Sequence, residues 1–103
     1  MDQPLPQSAD SILARLAGHS SELRGLGVRR IGLFGSAARG EATAESDLDF
    51  LVDIEHKTFD GYFDLLEFLE ALFGRKVDLV MKDALHERLS RYILSEVRYL
   101  EGL

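Results

Sequence analysis

Two aspartates separated by one residue are the strongest chemical signal in the sequence. Asp47 and Asp49 belong to a stretch in which apolar residues alternate, so both carboxylates should lie on one strand face, about 6.6 Å apart along the chain. This spacing suits a shared divalent-metal site, and oxygen-only ligands favour Mg²⁺ or Mn²⁺ over zinc. The alternative is a solvated strand face. It is weakened because Asp is unfavourable in strands and such close like charges repel each other.

A turn of small residues precedes this pair of aspartates. The segment Gly35-Ser36-Ala37-Ala38-Arg39-Gly40 follows a short apolar stretch. It could open a helix whose free N–H groups hold phosphate. Taken alone, an ordinary turn is the better explanation, because the pattern is neither a P-loop nor a dinucleotide-binding fingerprint. For Arg39, a phosphate contact and an ion pair with a nearby acid remain equally good interpretations.

A third carboxylate lies in the short apolar stretch Val77–Val80, where Asp78 would be costly to bury without a partner. If this stretch forms a strand beside the one that carries Asp47 and Asp49, the three carboxylates meet. Asp78 could then bind a metal and accept or orient the proton of an attacking hydroxyl. An exposed strand end explains Asp78 equally well when the residue is considered by itself. Asp53 is expected to be a solvated strand end.

The apolar patterns predict the elements that must position these residues. Residues 8–26 are expected to form one helix with a break near Gly18, and Val28–Phe34 and Leu48–Ile54 are expected to form strands. A helix over Phe59–Phe73 should end at Gly74, and Val77–Val80 should form a third strand. Asp83 should cap a last helix with this buried stripe: Leu85, Leu89, Tyr92, Ile93, Val97 and Leu100. The order indicates an α/β fold, with residues 1–7 as a flexible lead-in and 8–103 as one domain.

Composition limits the classes of function. With 103 residues, 46% of them hydrophobic, the chain can build one core. A formal charge of −6 disfavours direct binding to nucleic acid. The chain has no cysteine, which excludes thiolate zinc sites and cysteine nucleophiles and suits a reducing cytoplasm. No apolar run approaches the roughly 18 residues of a membrane span. A cytoplasmic protein without a membrane anchor is therefore expected.

In combination, these features resemble the polymerase beta-type nucleotidyltransferases. The shared pattern is an apolar strand followed by Gly35-Ser36, a spacer over residues 37–46, Asp47-Leu48-Asp49, and Asp78 on a later strand. The resemblance extends from about residue 8 to the C-terminus. It is closest to the minimal nucleotidyltransferases, the MNT proteins encoded beside HEPN-domain partners in prokaryotic toxin–antitoxin modules. It implies a small mixed β-sheet with helices packed against it.

The resemblance also implies roles for the residues. Gly35 and Ser36 would hold the β- and γ-phosphates of ATP, with Arg39 as a further nucleotide contact. Asp47 and Asp49 would bind two Mg²⁺ ions, with Mn²⁺ as an alternative, and Asp78 would complete the ligands and assist the nucleophile.

The implied activity is transfer of AMP to a tyrosine hydroxyl of a HEPN-type toxin, which silences the toxin. One alternative is a non-catalytic antitoxin that acts by occlusion, and another is transfer to a small molecule bound by a separate subunit. Tyr92 and Tyr99 are seven residues apart in the predicted last helix. Core packing is the better explanation for this stripe, and a surface for a partner or for a second copy of the chain is the alternative.

Overall fold

A mixed sheet surrounded by short helices forms the protein. The computed structural model describes residues 8–43, 45–55, 58–85 and 87–103, without the side chains of 87–89. The predicted lead-in over residues 1–7 lies outside these ranges. The helices are α1 (Ala9–Ala17), α2 (Ser20–Gly25), α3 (Gly35–Ala38), α4 (Phe59–Phe73) and α5 (Glu87–Glu96). The strands are β1 (Val28–Phe34), β2 (Leu48–Ile54), β3 (Val77–Met81) and β4 (Arg98–Tyr99), and a 3₁₀ turn covers Lys82–Ala84.

The sheet has the strand order β3-β2-β1-β4. Strand β1 runs antiparallel to both β2 and β4, whereas β2 and β3 are parallel. In this register Asp49 is the partner of Phe34 on one side and of Asp78 on the other. The mixed sheet confirms the predicted fold class, and its register brings the end of β1 to the acidic residues of β2 and β3.

The alternating residues of β2 contribute to two different cores. Phe50, like Leu48, Val52 and Ile54, belongs to the main core that also includes residues of α1, α2 and α4. There the rings of Phe50 and Phe73 stack with centroids 5.7 Å apart. On the other face Leu51 packs with Phe34 and Ile93 of α5. Helix α5 therefore covers part of the face that also carries the acidic residues of β2, as the alternation of side chains in a strand requires.

Local signals in the sequence set several of the helix boundaries. The Ser8 hydroxyl caps α1 by accepting a hydrogen bond from the Ser11 N–H, and Thr58 caps α4 in the same way. Helix α4 ends at Gly74, which adopts φ of 64° as predicted. The single helix predicted over residues 8–26 is two helices, because His19 leaves the helical conformation with φ of −119° and ψ of 26°. The break falls beside Gly18, where it was expected.

The prediction for the last helix was wrong in part. Helix α5 ends at Glu96, and the following residues form β4, in which Tyr99 is the partner of Gly32. The predicted buried stripe therefore does not continue along one helix into Val97 and Leu100. Tyr92 is 58% exposed instead of buried, and Tyr99 lies in the strand and not on the helix face of Tyr92. Asp83 lies in the 3₁₀ turn that precedes α5, and the predicted cap falls on residue 86 and its neighbours, outside the described residues.

The physical reason is the free edge of β1. Its backbone groups need hydrogen-bond partners, and the Leu100 N–H donates to the Ile31 carbonyl at 2.9 Å. Val97 and Tyr99 are β-branched and aromatic residues that favour a strand. Gly32 allows them to approach, because a Cβ at Gly32 would lie 2.5 Å from Cγ2 of Val97. Within the described ranges, no helix is long and apolar enough to cross a membrane.

Candidate active site

The turn after β1 is built around a close approach between Gly35 and Asp49. Gly35 has φ of +74°, and a Cβ at this position would overlap the Asp49 carboxylate and lie 2.9 Å from its Cγ. Any larger residue would therefore be strained in its backbone and would displace the carboxylate. Glycine is required here because the turn and the acidic strand are in direct contact.

Two of the three predicted carboxylates lie side by side. Asp49 and Asp78 are partners in the register of the parallel strands β2 and β3. Neighbouring strands are about 4.8 Å apart and partners point to the same face, so the carboxylates face the same space. Asp49 is partly buried and Asp78 is exposed. The condition under which Asp78 joins Asp49, that their two strands lie side by side, is thereby met.

Asp47 lies just before β2 and is exposed. The loop ahead of it is fixed by Ser46, whose hydroxyl accepts a hydrogen bond from the Thr43 N–H at 3.0 Å. Ser46 therefore has a structural role in this loop.

The carboxylates influence one another electrostatically. Burial, followed by the negative charges of Asp78, Asp47 and Glu96, raises the pKa of Asp49 from its ordinary value of 3.8 to about 6, while the Arg39 guanidinium opposes this shift. The contributions of Asp78 and Asp47 place both of these carboxylates within electrostatic reach of Asp49. The fold therefore holds negative charge that a cation would neutralise.

This raised pKa predicts how stability depends on pH. Asp49 binds a proton more tightly in the folded than in the unfolded chain, so its contribution to stability is greatest when it is protonated and declines as pH rises through about 6. Without divalent cations, the wild type should therefore be less stable at neutral pH than Asp49→Asn by on the order of 1 kcal/mol, with allowance for solvent screening. The difference should narrow as pH falls toward 4.

Urea denaturation of both proteins at a series of pH values measures this difference in the free energy of unfolding. A difference that stays constant between neutral and acidic pH would contradict a raised pKa at Asp49. Titration of the Asp49 carboxyl carbon by NMR would then identify its true pKa.

Arg39 lies at the end of α3 and makes two ion pairs. Its Nε donates to Glu41 Oε1 and its Nη1 to Glu96 Oε2, both at 3.0 Å. Nη1 also lies 3.5 Å from the Tyr92 hydroxyl. These carboxylates, Glu41 first, raise the pKa of the Arg39 guanidinium further above its ordinary value. Of the two interpretations of Arg39, the ion pair is therefore present, and the phosphate contact stays a prediction.

Sequence reasoning missed Glu96, which connects α5 to the turn. Glu96 Oε1 accepts a hydrogen bond from the Gly35 N–H at 2.9 Å, while its other oxygen bonds Arg39. The sequence offered no signal for this contact, since Glu96 belonged to a predicted helix in which an acid reads as an ordinary polar residue. Ser36 follows Gly35, and its hydroxyl makes no hydrogen bond to any part of the chain that the structure describes.

The carboxylates of Asp49 and Asp78 are of the kind and number that suit Mg²⁺. Among the described residues, no three or more His, Asp or Glu side chains are already grouped to hold a metal ion. Mg²⁺ in nucleotide-dependent enzymes is commonly bound by one or two carboxylates, with substrate phosphates and waters completing its ligands. Asp49 and Asp78 supply that number of carboxylates side by side, and their mutual repulsion is what a cation would relieve. The two carboxylates therefore fit a Mg²⁺ site in which the phosphates of a bound nucleotide supply further ligands.

A mixed sheet with paired acidic strands beside a Gly-Ser turn defines a nucleotidyltransferase domain of the polymerase beta type. Comparisons with known proteins agree. Residues 14–100 match the family described as the nucleotidyltransferase domain. The protein adenylyltransferase MntA of Thermococcus cleftensis is 46% identical over 93 residues, which cover 88% of this chain and 94% of that relative. The chain belongs to the nucleotidyltransferase family, among its minimal, MntA-like members.

Solved structures show the same fold. A structure assigned as a minimal nucleotidyltransferase superposes with a TM-score of 0.76 at 37% identity and covers 88% of this chain and 94% of its own. A toxin–antitoxin structure with AMP-PNP has a TM-score of 0.71 at 22% identity and covers 88% of this chain and 73% of its own. The predicted resemblance and the predicted fold are both confirmed.

Proposed function

We propose that this protein is a Mg²⁺-dependent adenylyltransferase that transfers AMP from ATP to a tyrosine hydroxyl of a HEPN-type toxin and so acts as its antitoxin. The observation that carries the proposal is the placement of Asp49 and Asp78 side by side against the Gly35 turn. The 46% identity to a protein adenylyltransferase over most of both chains supports it.

The Gly35-Ser36 turn is proposed to hold the β- and γ-phosphates through Ser36, since the Gly35 N–H already donates to Glu96. The Ser36 hydroxyl has no competing hydrogen bond within the described ranges and is available to a phosphate oxygen. Arg39 adds a positive charge that is partly exposed and directly follows the turn. An arginine and a hydroxyl together orient the triphosphate, so that binding energy is used to align the α-phosphate with the acceptor.

The three carboxylates are proposed to position the reacting groups. Asp47 and Asp49 would hold two Mg²⁺ ions, or Mn²⁺, which when bound would neutralise charge on the α-phosphate and the leaving group. Asp78 would be a further ligand of these ions and would accept the proton of the acceptor hydroxyl. The hydroxyl oxygen then forms a bond to the α-phosphorus, the bond to the oxygen that bridges to the β-phosphate breaks, and pyrophosphate leaves. Raised charge repulsion at Asp49 is consistent with this demand for cations.

A partner protein is the proposed acceptor. The described residues form one sheet and the helices that cover it. The side of the sheet that carries the three aspartates is open to solvent, since Asp47 and Asp78 are exposed. An acceptor that presents its own hydroxyl on a folded surface fits such an open side. The HEPN toxin is proposed from the MntA relationship and from structural relatives solved as MntA–HepT toxin–antitoxin complexes.

The test is a mass measurement on the partner. The protein, at about one-tenth of the partner's concentration, is incubated with the HEPN protein, ATP and Mg²⁺, and intact masses are recorded. We expect the partner to gain mass in whole AMP units well beyond the amount of enzyme present, because a catalyst turns over. The Asp47→Ala/Asp49→Ala double variant should give no gain.

Other outcomes separate the alternatives. A stable one-to-one complex without a mass gain would contradict the proposal and indicate an antitoxin that acts by occlusion. Modification of a small molecule added in place of the toxin, with the toxin unchanged, would assign a different acceptor. Peptide mapping of a modified toxin then identifies whether the side chain is tyrosine.

A further inference from the structure

We propose that Glu96 is a positioning residue of the nucleotide site: its carboxylate holds the start of the Gly35 turn and the Arg39 guanidinium in the arrangement that receives the triphosphate. This inference rests on the proposed function, since it assigns the role of a residue toward the same ligand. Glu96 itself is not proposed to touch the nucleotide.

The contacts of Glu96 use both carboxylate oxygens. Oε1 accepts from the Gly35 N–H at 2.9 Å, and Oε2 accepts from Arg39 Nη1 at 3.0 Å. One side chain therefore connects the first residue of the turn with the cation that follows it. Charge-assisted hydrogen bonds of this length are stronger than neutral ones, and two from one rigid carboxylate fix both distance and direction.

The surroundings of Glu96 separate it from an ordinary surface ion pair. Its side chain is 15% exposed, against 63% for Glu41, the other carboxylate on Arg39. Glu96 is the last residue of α5, and the same helix is anchored by Ile93, which packs with Phe34 and Leu51. The Glu96 carboxylate is therefore held in position by a core that includes the end of β1. Glu41 follows the turn directly, and no hydrogen bond joins its side chain to Gly35 among the described residues.

The arrangement leaves donors for a ligand. The Ser36 hydroxyl has no hydrogen bond within the part of the chain that is described. Glu96 engages Nη1 of Arg39 and Glu41 engages Nε. A guanidinium has five N–H donors, so donors remain for a phosphate. The negative charge of Glu96 also contributes to the raised pKa of Asp49. For Glu96 to favour triphosphate binding, the benefit of holding Gly35 and Arg39 in place must exceed the repulsion between its charge and the triphosphate. Loss of the Glu96 contacts to Gly35 and Arg39 should therefore weaken triphosphate binding, although the substitution removes a negative charge.

The test compares two Glu96 variants with one Glu41 control, and each of the three removes one carboxylate charge from beside Arg39. Glu96→Gln retains an acceptor for Gly35 but loses the ion pair, and Glu96→Ala loses both; Glu41→Gln is the control. Affinity for ATP and for inorganic tripolyphosphate is measured by calorimetry with Mg²⁺, without any partner protein. We expect Glu96→Ala to weaken binding by about tenfold or more, Glu96→Gln to fall between it and wild type, and Glu41→Gln to bind at least as well as wild type.

A second readout does not depend on the nucleotide. Hydrogen exchange of the Gly35 amide, followed by NMR, should be at least about tenfold faster in Glu96→Ala than in wild type, because its acceptor is gone. The spectrum also reports whether each variant is folded. An unchanged Gly35 exchange rate in folded Glu96→Ala would overturn the inference.

The binding data separate the remaining outcomes. Tighter binding by both Glu96 variants would overturn the inference, because Glu96 would then compete with the triphosphate. Equal binding of the triphosphate by wild type and both Glu96 variants would also overturn the inference. If wild type bound neither ATP nor tripolyphosphate, the proposed function would fail first, and the positioning role would fail with it.

Discussion

Replacement of Asp49 by asparagine is expected to reduce nucleotidyl transfer by on the order of 10³-fold or more, and to raise the melting temperature of the metal-free protein at the same time. The two effects have one cause. Asp49 carries a negative charge that burial and the charges of Asp78 and Asp47 make unfavourable, which its pKa of about 6 reflects. Asparagine removes that charge with little change in volume, so the fold gains stability and the site loses its cation ligand.

Transfer is measured as incorporation of AMP into the partner, and stability by thermal unfolding in the presence of a chelator. A gain of about 1 kcal/mol corresponds to roughly 4–8 °C for a domain of this size. Asp53→Asn is the matched control, since Asp53 lies on the same face of the same strand, farther along β2 and in register with Arg30. Its activity should stay within about twofold of wild type. Activity of Asp49→Asn within tenfold of wild type would contradict the assignment of Asp49.

Replacement of Gly35 by alanine is expected to lower both stability and activity. The new Cβ would overlap the Asp49 carboxylate, and the residue would have to keep φ of +74°. The backbone conformation alone costs about 1–2 kcal/mol for a residue with a Cβ. Displacement of the carboxylate adds to that cost, and a shift of about 1 Å at a reacting group is enough to reduce the rate by roughly 10²-fold.

Gly40→Ala is the control that separates these contributions. Gly40 has φ of +75°, and a Cβ there meets no atom within 4 Å, so the variant has the backbone cost without the overlap. Gly35→Ala should therefore be the less stable of the two in urea denaturation. In an Asp49→Ala background the overlap with the carboxylate disappears and only the Cβ of residue 49 remains, at 3.2 Å, so the cost of Gly35→Ala should fall toward that of Gly40→Ala. Equal costs of the two glycine variants in the wild-type background would contradict a direct contact between Gly35 and Asp49.

The sequence was most informative where one local rule decides the structure. The alternation of residues 48–54 predicted β2 with its correct bounds, and the left-handed glycine at Gly74 ended α4 as expected. The sequence also singled out Asp47 and Asp78, the two carboxylates that the fold places within electrostatic reach of Asp49. Their roles toward metal and nucleotide stay predictions.

The sequence was misleading at the C-terminal end of the chain. Val97 and Leu100 continue a helical spacing of apolar side chains, yet residues 98–100 bond to β1, because a strand edge with unsatisfied backbone groups was available. Periodicity over so few residues does not distinguish a helix from a strand. The edge of β1 is a property of the assembled sheet, and a local pattern carries no information about it.

By itself the sequence determined the acidic strand, the glycine turn and the family to which the chain belongs, since these depend on residue type and short spacing. Only the tertiary structure decided that Asp49 rests against Gly35, that Asp78 is its neighbour on a parallel strand, and that Glu96 bonds both Gly35 and Arg39. Those contacts join residues far apart in the chain. They follow from strand order and register, which are set by the burial of two separate cores on the two faces of one sheet.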